Sequence, residues 1–466
     1  MDIDRREFLQ QSTLAAGSLI LPNGMIKKSM NVKKRLAMVG TGSRGPGTWG
    51  KPILQTYGDL VEFVGLCDIN PGRVEYAKKY IGADCKTYTD FDLMLSETKP
   101  DTVIVTTVDA THHEFIIKAL NAGVDVITEK PLTTDEVKVQ KILDAERKSG
   151  KKVIVAFNYR HNPHATKLKE ILAAHRVGKI TSVDFHWYLN VYHGADYFRR
   201  WHAFVNRSGS LWVHKATHHF DLLNWWIDSD PVEVMAYAQL NHYGKNNSFR
   251  GTSCRTCDYK NTCKFYWDIT KNQEYVNTYV NNEKYDGYIR DSCVFRNEID
   301  IWDKMSAQIV YANGVTVNYS LTTYSPYEGW KTSFNGMNGR IDTWEDIPFL
   351  DEAVDQAGHH AAEMNQNANE KPDGFNDIFI MDNFSKKGEH VYVPKYNSGH
   401  GGADSRLHEK IFRNPTGENP NKIMAGTRDG VMSCIIGIAA RKSLALNRPI
   451  RIADLIDIPP SPTRGA

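Results

Sequence analysis

The chain has 466 residues, enough for two or three domains, each with a core of its own. At 41% hydrophobic and 24% charged, its composition is that of an ordinary soluble globular protein. A net charge of +2 removes bulk electrostatics as an argument for binding nucleic acid.

Residues 1–31 carry Arg5-Arg6-Glu7-Phe8-Leu9 and then an apolar run from Leu14 to Leu21. Paired arginines, Phe-Leu and an apolar run match a twin-arginine export signal and point to the periplasm. A cytoplasmic leader is the alternative. The run is too short for a permanent span, and no later stretch is a transmembrane candidate.

From 32 to 157 the chain alternates two patterns. Short apolar, β-rich runs fall at 35–40, 61–68, 102–107, 124–129 and 152–158, and amphipathic helical stretches at 71–80, 112–122 and 135–149. Near-continuous apolar strands separated by helices predict a parallel sheet covered on both faces.

The first run leads into Gly40-Thr41-Gly42-Ser43-Arg44-Gly45, a G-x-G-x-x-G turn between a strand and a helix. Gly40 permits the tight turn, Gly42 lets the backbone approach a pyrophosphate, and Gly45 lets helix and strand pack closely. Pro46 and Gly47 make the helix start less regular than usual. Asp68 ends the second run, 23 residues beyond Gly45. An acidic residue there binds the adenosine ribose and repels a 2′-phosphate, which favours NAD over NADP. The 124–129 run ends in Glu129-Lys130-Pro131, placing Lys130 at the carboxyl end of a strand, where an open sheet faces its ligand. A lysine there can stabilise a forming alkoxide, or it can be ion-paired with Glu129 at the sheet rim.

Beyond Arg160 the pattern changes. A helix is expected at 165–175 and strands at 181–191, 232–239, 307–312, 316–322 and 331–335, with Asn313-Gly314 as a hairpin turn. This predicts a mostly antiparallel sheet with few helices. The polar stretch 351–396 reads as long surface loops, and 429–446 as a C-terminal helix stopped by Asn447-Arg448-Pro449. His400-Gly401-Gly402-Ala403-Asp404 reads as a loop capped by Asp404 or Ser405, or as one presenting His400 or Asp404 to a ligand.

An insertion at 242–297 holds Cys254-x-x-Cys257, Cys263 and Cys293. Four thiolates within one insertion suit a structural zinc, with disulfides or an iron–sulfur cluster as alternatives. Either way they would staple a surface segment.

Residues 208–226 set His214, Lys215, His218, His219 and Asp221 among aromatic and aliphatic residues. As one helix, 214, 218 and 221 share a face. His214 and His218 could bind zinc, but no third ligand is evident. They could equally be core histidines, or take a proton from a substrate hydroxyl. His219 points elsewhere and reads as structural.

The glycine turn, Asp68, Thr111-His112-His113-Glu114, Glu129-Lys130-Pro131, Asn158-Tyr159-Arg160 and the Gly-x-Ala-Ala-x-x-Ser helix at Gly437–Ser443 together resemble the glucose–fructose oxidoreductase / inositol 2-dehydrogenase (Gfo/Idh/MocA) family. The resemblance runs from Lys34 to Ile458. It implies an α/β chain: a Rossmann dinucleotide-binding domain at 32–157, then an α+β domain at 158–466 with a large, open, mostly antiparallel sheet that supports homo-oligomers. It implies NAD held by Gly40, Gly42, Ser43, Arg44, Gly45, Asp68, Thr106, His113, Glu129, Lys130 and Arg160. It implies His218 as the catalytic histidine beside Lys130. The family's usual aspartate is replaced by His214, with Lys215 next to it, so these two join the candidate catalytic set. The implied activity is NAD-dependent oxidation or reduction of a sugar, glycoside or inositol hydroxyl. A glycoside-cleaving enzyme with tightly bound NAD and a non-enzymatic NAD-binding module are the alternatives.

Overall fold

The computed structural model describes residues 32–346, 372–396, 399–415, 417 and 419–464. The arginine-pair leader at 1–31 lies outside them.

Six strands form the first sheet: β1 (Lys34–Val39), β2 (Val61–Cys67), β3 (Lys86–Tyr88), β4 (Thr102–Val105), β5 (Asp125–Thr128) and β6 (Val153–Val155). All pair in parallel, in the order β3-β2-β1-β4-β5-β6. Every residue of β4 and the last four of β1 are buried, as a sheet covered on both faces requires. The crossover helices start on side-chain caps. Asn70, Asp90 and Asp135 each accept from the backbone N–H three residues on, and Gly82 and Gly150 end two of these helices in the left-handed conformation. The sequence pattern misses β3 and the helix Phe91–Thr98 behind it, because three residues carry no readable period. The strand order reverses between β1 and β4. That opens a crevice at the strands' carboxyl ends, where both the glycine turn and Lys130 lie.

The second sheet has nine strands: β7 (Ile180–Asn190), β8 (Pro231–Gln239), β9 (Lys304–Tyr311), β10 (Thr316–Ser325), β11 (Gly329–Gly336), β12 (Gly339–Glu345), β13 (Pro372–Asp382), β14 (Glu389–Tyr396) and β15 (Ile450–Arg451). Their order is β14-β13-β12-β11-β7-β10-β9-β8-β15, antiparallel throughout except for β7 beside β10. One expectation fails here. Residues 372–396 are two strands and not loops; Ile378, Ile380 and Val393 are buried, while the other face carries Phe375, Asp377, Phe379 and Tyr392. Apolar residues on both faces, Phe375, Phe379 and Tyr392 outside and Ile378, Ile380 and Val393 inside, left no polar–apolar alternation to read. The rest of the expected loop, 351–371, lies outside the described residues.

Helices are also more prominent than expected. Ala216–Ile227 packs on the sheet through His219 on Trp187, Phe220 on Tyr319 and Trp226 on Phe334. The C-terminal helix Thr427–Leu446 lies behind it. A Cβ on Gly437 would stand 2.2 Å from the Trp212 carbonyl oxygen, so only glycine admits this approach. Ser443 accepts from the Ala236 N–H of β8 at 3.1 Å.

The cysteine expectation is corrected. All seven cysteines are free thiols, and among the described residues no group of three or more His, Cys, Asp or Glu is placed to hold a metal. A zinc centre or disulfides at Cys254, Cys257, Cys263 and Cys293 are therefore not supported. Asp291 ties their turns together instead. It pairs with Arg255 at 2.9 Å, and its carbonyl accepts from the Cys254 N–H at 2.8 Å. Cys254 Sγ accepts from Arg199 at 3.0 Å.

Candidate active site

The glycine turn is shaped by contact with β4. Gly40 has φ +90°, and a Cβ there would lie 2.6 Å from the Thr106 carbonyl. A Cβ on Gly45 would lie 2.4 Å from the Gly40 oxygen. Thr106 Oγ1 donates to the Gly40 carbonyl at 2.5 Å, so it braces the turn from behind. Gly42 is different. A Cβ there would meet only the Tyr279 hydroxyl, at 3.4 Å, so the space over its backbone is open to a ligand. The irregular helix start expected from Pro46 and Gly47 is a wide π-turn over Gly45–Gly50.

Arg44 joins the glycine turn to the β5 end and to the segment at 399–412. It donates to Glu129 at 2.6 Å and to Asp404 at 3.1 and 3.2 Å. Glu129 also accepts from the Trp49 indole at 2.8 Å. Asp404 accepts from Asn158 at 2.8 Å and is bonded to His400 at 2.9 Å. Burial alone would raise the Asp404 carboxyl; Arg44 and His400 hold it well below its ordinary range. Asp404 is thus the buried node of an ion network and not a helix cap. Asp68 sits at the end of β2 as expected. It accepts from the Thr41 N–H at 2.7 Å and the Asn70 N–H at 2.9 Å, and pairs with Arg73 at 3.1 Å. An open glycine turn, a carboxylate at the β2 end and a lysine at the β5 end fit a nicotinamide dinucleotide.

Lys130 is the centre of the second half of the site. Its Nζ donates to the His214 carbonyl at 2.9 Å. Burial pushes the ammonium down to about 8; Asp109 and Glu129 pull it up and Lys215 and Arg44 push it further down. His214 Nδ1 lies 2.6 Å from Asp109 Oδ2. Burial raises the Asp109 carboxyl well above its usual value, and burial with the Lys130 charge holds His214 well below its own. The two form a close, buried hydrogen-bonded pair. Asp109 supplies, from the loop after β4, the carboxylate missing at position 214. The sequence signal was its place just past a strand's carboxyl end.

The facing wall is aromatic. Lys215 donates to the Tyr159 hydroxyl at 2.9 Å and lies 5.1 Å from the Trp187 ring centre. Tyr159 stacks on His218 with ring centroids 4.2 Å apart, and His400 adjoins at 5.6 Å. His218 is held well below its ordinary value by burial, then by Lys130 and Lys215, and its buried Nδ1 has no hydrogen-bond partner. Lys215 falls at a break between the helices Leu211–His214 and Ala216–Ile227. His214 and His218 thus do not share one continuous helix face, as the spacing had suggested. The break turns Lys215 onto Tyr159 while His214 meets Asp109.

Two assignments need revision. Arg160 does not face the cofactor: it is 1% exposed and pairs with Asp221 at 2.6 Å and Asp429 at 2.8 Å. Asp221 is consequently committed to Arg160. His113 is lowered by burial and by Lys138, and no contact ties it to the glycine turn or to Lys130 among the described residues. Its neighbour His112 bonds the Pro131 carbonyl at 2.8 Å and the Thr107 carbonyl at 3.1 Å, bridging the β4 and β5 ends. His219 bonds the Tyr319 hydroxyl at 2.7 Å and is structural, as read.

Comparison with known proteins matches these features. Residues 34–157 match the model of the Gfo/Idh/MocA "Oxidoreductase family, NAD-binding Rossmann fold", and residues 169–452 that of its "C-terminal alpha/beta domain". The chain is 35% identical over 450 residues to "Putative oxidoreductase YteT" of Bacillus subtilis, covering 91% of this chain and 99% of that one. Inositol 2-dehydrogenase of Salmonella typhimurium is 26% identical over 178 residues, 38% of this chain and 50% of its own length. Among solved structures, levoglucosan dehydrogenase in complex with NADH and levoglucosan has a TM-score of 0.62 at 15% identity, covering 90% of this chain and all of that one. An oxidoreductase domain protein from Kribbella flavida has a TM-score of 0.62 at 14% identity, covering 90% of this chain and 99% of that one.

Proposed function

Since the chain belongs to the Gfo/Idh/MocA oxidoreductase family, we propose that it oxidises a ring hydroxyl of a sugar or cyclitol with NAD, Lys130 handling the proton. The observation that carries this reading is the Lys130 amine, lowered to about 8 and set at the end of β5 between Asp109, His214 and Lys215. Bound NAD would supply the hydride acceptor. The chain's own groups manage the proton and the charge. Near neutral pH part of Lys130 is free amine, able to take a hydroxyl proton or hydrogen-bond the alkoxide that forms. The Asp109–His214 contact holds the helix end that Lys130 binds. His218 stacks on Tyr159, and Lys215 donates to the Tyr159 hydroxyl, so the three form one wall beside Lys130.

Preference for NAD is supported by Asp68 at the β2 end. The Arg73 cation beside it is already matched by Asp68 and Asp286, so it is not free to bind a 2′-phosphate. The sugar or cyclitol class is supported by the inositol 2-dehydrogenase and levoglucosan dehydrogenase relatives.

The direct test incubates the purified protein with NAD and a panel of inositols, aldoses and anhydrosugars while following NADH formation. Turnover with one class supports the reading. No NADH with any polyol and no bound dinucleotide would sink it. A pH profile gives the second check. Oxidation uses the neutral Lys130 amine, which grows as pH rises, so its rate should climb through about 8 and level off. Reduction uses the ammonium form and should fall over the same interval.

The outer face of β13 and β14 exposes Phe375, Phe379, Met381 and Tyr392, an apolar row that supports pairing between copies of the chain. Light scattering should give an oligomer, and the double variant Phe375→Glu/Tyr392→Glu a smaller species.

A further inference from the structure

The insertion at 242–297 does more than decorate the second domain. It crosses to the glycine turn and to the first turn of helix Pro71–Ile81. The Tyr279 hydroxyl accepts from the Ser43 N–H at 2.9 Å and is bonded to Ser43 Oγ at 2.8 Å. The Asn282 carbonyl accepts from Asn70 Nδ2 at 3.0 Å. Asp286 pairs with Arg73 at 2.6 Å, and Arg73 in turn holds Asp68. The fit is close: a Cβ on Gly72 would stand 2.0 Å from Asn282 Oδ1, so a side chain there would push the insertion off.

These contacts fall on the two features that make the crevice fit a dinucleotide. Ser43 belongs to the turn whose amides face a pyrophosphate, and Asp68 is the carboxylate at the adenosine end. The insertion is also firmly held on the other side. Arg290, 4% exposed, pairs with Asp196 of helix Val191–Arg199 at 2.9 Å and lies 5.2 Å from the Trp267 and Tyr275 ring centres. Arg255 links Asp291 to Glu283, tying the cysteine-bearing turns to the short helix Glu283–Asp286. A segment anchored at one end on the second domain and bonded at the other to both cofactor-facing features is built as a clasp.

We propose that residues 242–297 clasp the bound dinucleotide, with Tyr279 a cofactor-binding residue that adds its hydroxyl to the pyrophosphate site of the glycine turn. Asn282 and Asp286 close the adenosine end and fix Arg73 and Asp68. This rests on the dinucleotide reading above and extends it. The chain holds its cofactor with residues from both domains, and exchange requires the insertion to release helix Pro71–Ile81.

The test is release of NADH from the full-length protein, followed by fluorescence after mixing with excess NAD. Tyr279→Phe removes one hydroxyl. Loss of a hydrogen bond to a charged group should speed release by about tenfold or more. Asp286→Asn, which removes the charge facing Arg73 and keeps an oxygen for the Tyr288 N–H, should also speed release, and it tests the clasp from its other end should Tyr279 matter to folding. Wild-type binding with both variants releasing at the wild-type rate overturns the clasp alone. A wild-type protein that binds no NADH overturns the dinucleotide reading and the clasp with it.

Discussion

Replacing Lys130 with alanine is expected to lower kcat for hydroxyl oxidation by roughly 10³-fold, the scale of losing a positioned proton acceptor together with its stabilisation of an alkoxide. NADH affinity should change little, because the glycine turn and Asp68 are held by contacts that do not involve Lys130. Lys130→Arg is the informative control. Arginine keeps the positive charge but does not give up its proton, so oxidation should stay impaired and the rise through about 8 should vanish. A lysine serving only to hold the His214 carbonyl would behave differently: the alanine variant would melt earlier, with activity following the folded fraction. Stopped-flow kinetics together with thermal denaturation separate these outcomes.

Replacing Arg160 with alanine is expected to destabilise the protein by about 3–5 kcal/mol, as expected when one partner leaves a buried ion pair. The guanidinium is 1% exposed and donates to Asp221, Asp429 and the Lys422 carbonyl. Its removal strands the Asp221 carboxylate, itself 1% exposed. Burial already pushes that carboxyl up to about 6 against the pull of Arg160. Denaturant unfolding monitored by tryptophan fluorescence should show the lowered midpoint. Asp221→Asn should cost less, since it keeps the shape and removes the charge. An unchanged midpoint with weakened NAD binding would return Arg160 to the cofactor site.

Much of the cofactor half was legible because it depends on local patterns. The glycine turn, Asp68 and Lys130 each sit at the end of an apolar run, and in a parallel sheet strand ends converge on one crevice whatever the distant chain does. The substrate half was legible only in part. His214, Lys215 and His218 could be picked out as chemistry-bearing, but their division of labour depends on a helix break at Lys215 and on a partner more than a hundred positions away. Asp109 had no local mark beyond its place after β4. Arg160 was misassigned because a motif gives a residue's address and not the direction of its side chain. The cysteines were misread for the same reason: spacing suggested a metal, while Asp291 and Arg255 tie those turns together.

By itself, the sequence determined the two-domain plan, the parallel sheet, the dinucleotide turn and the lysine at the β5 end. Periodicity and glycine placement act over a few residues, and the backbone obeys them locally. Only the tertiary structure decided that Asp109 completes His214, that Arg160 holds Asp221 and Asp429, and that Tyr279 reaches Ser43. Each pairs groups distant in sequence whose burial requires a partner. Which partner satisfies a buried charge is a property of the packed chain, not of the segment that carries it.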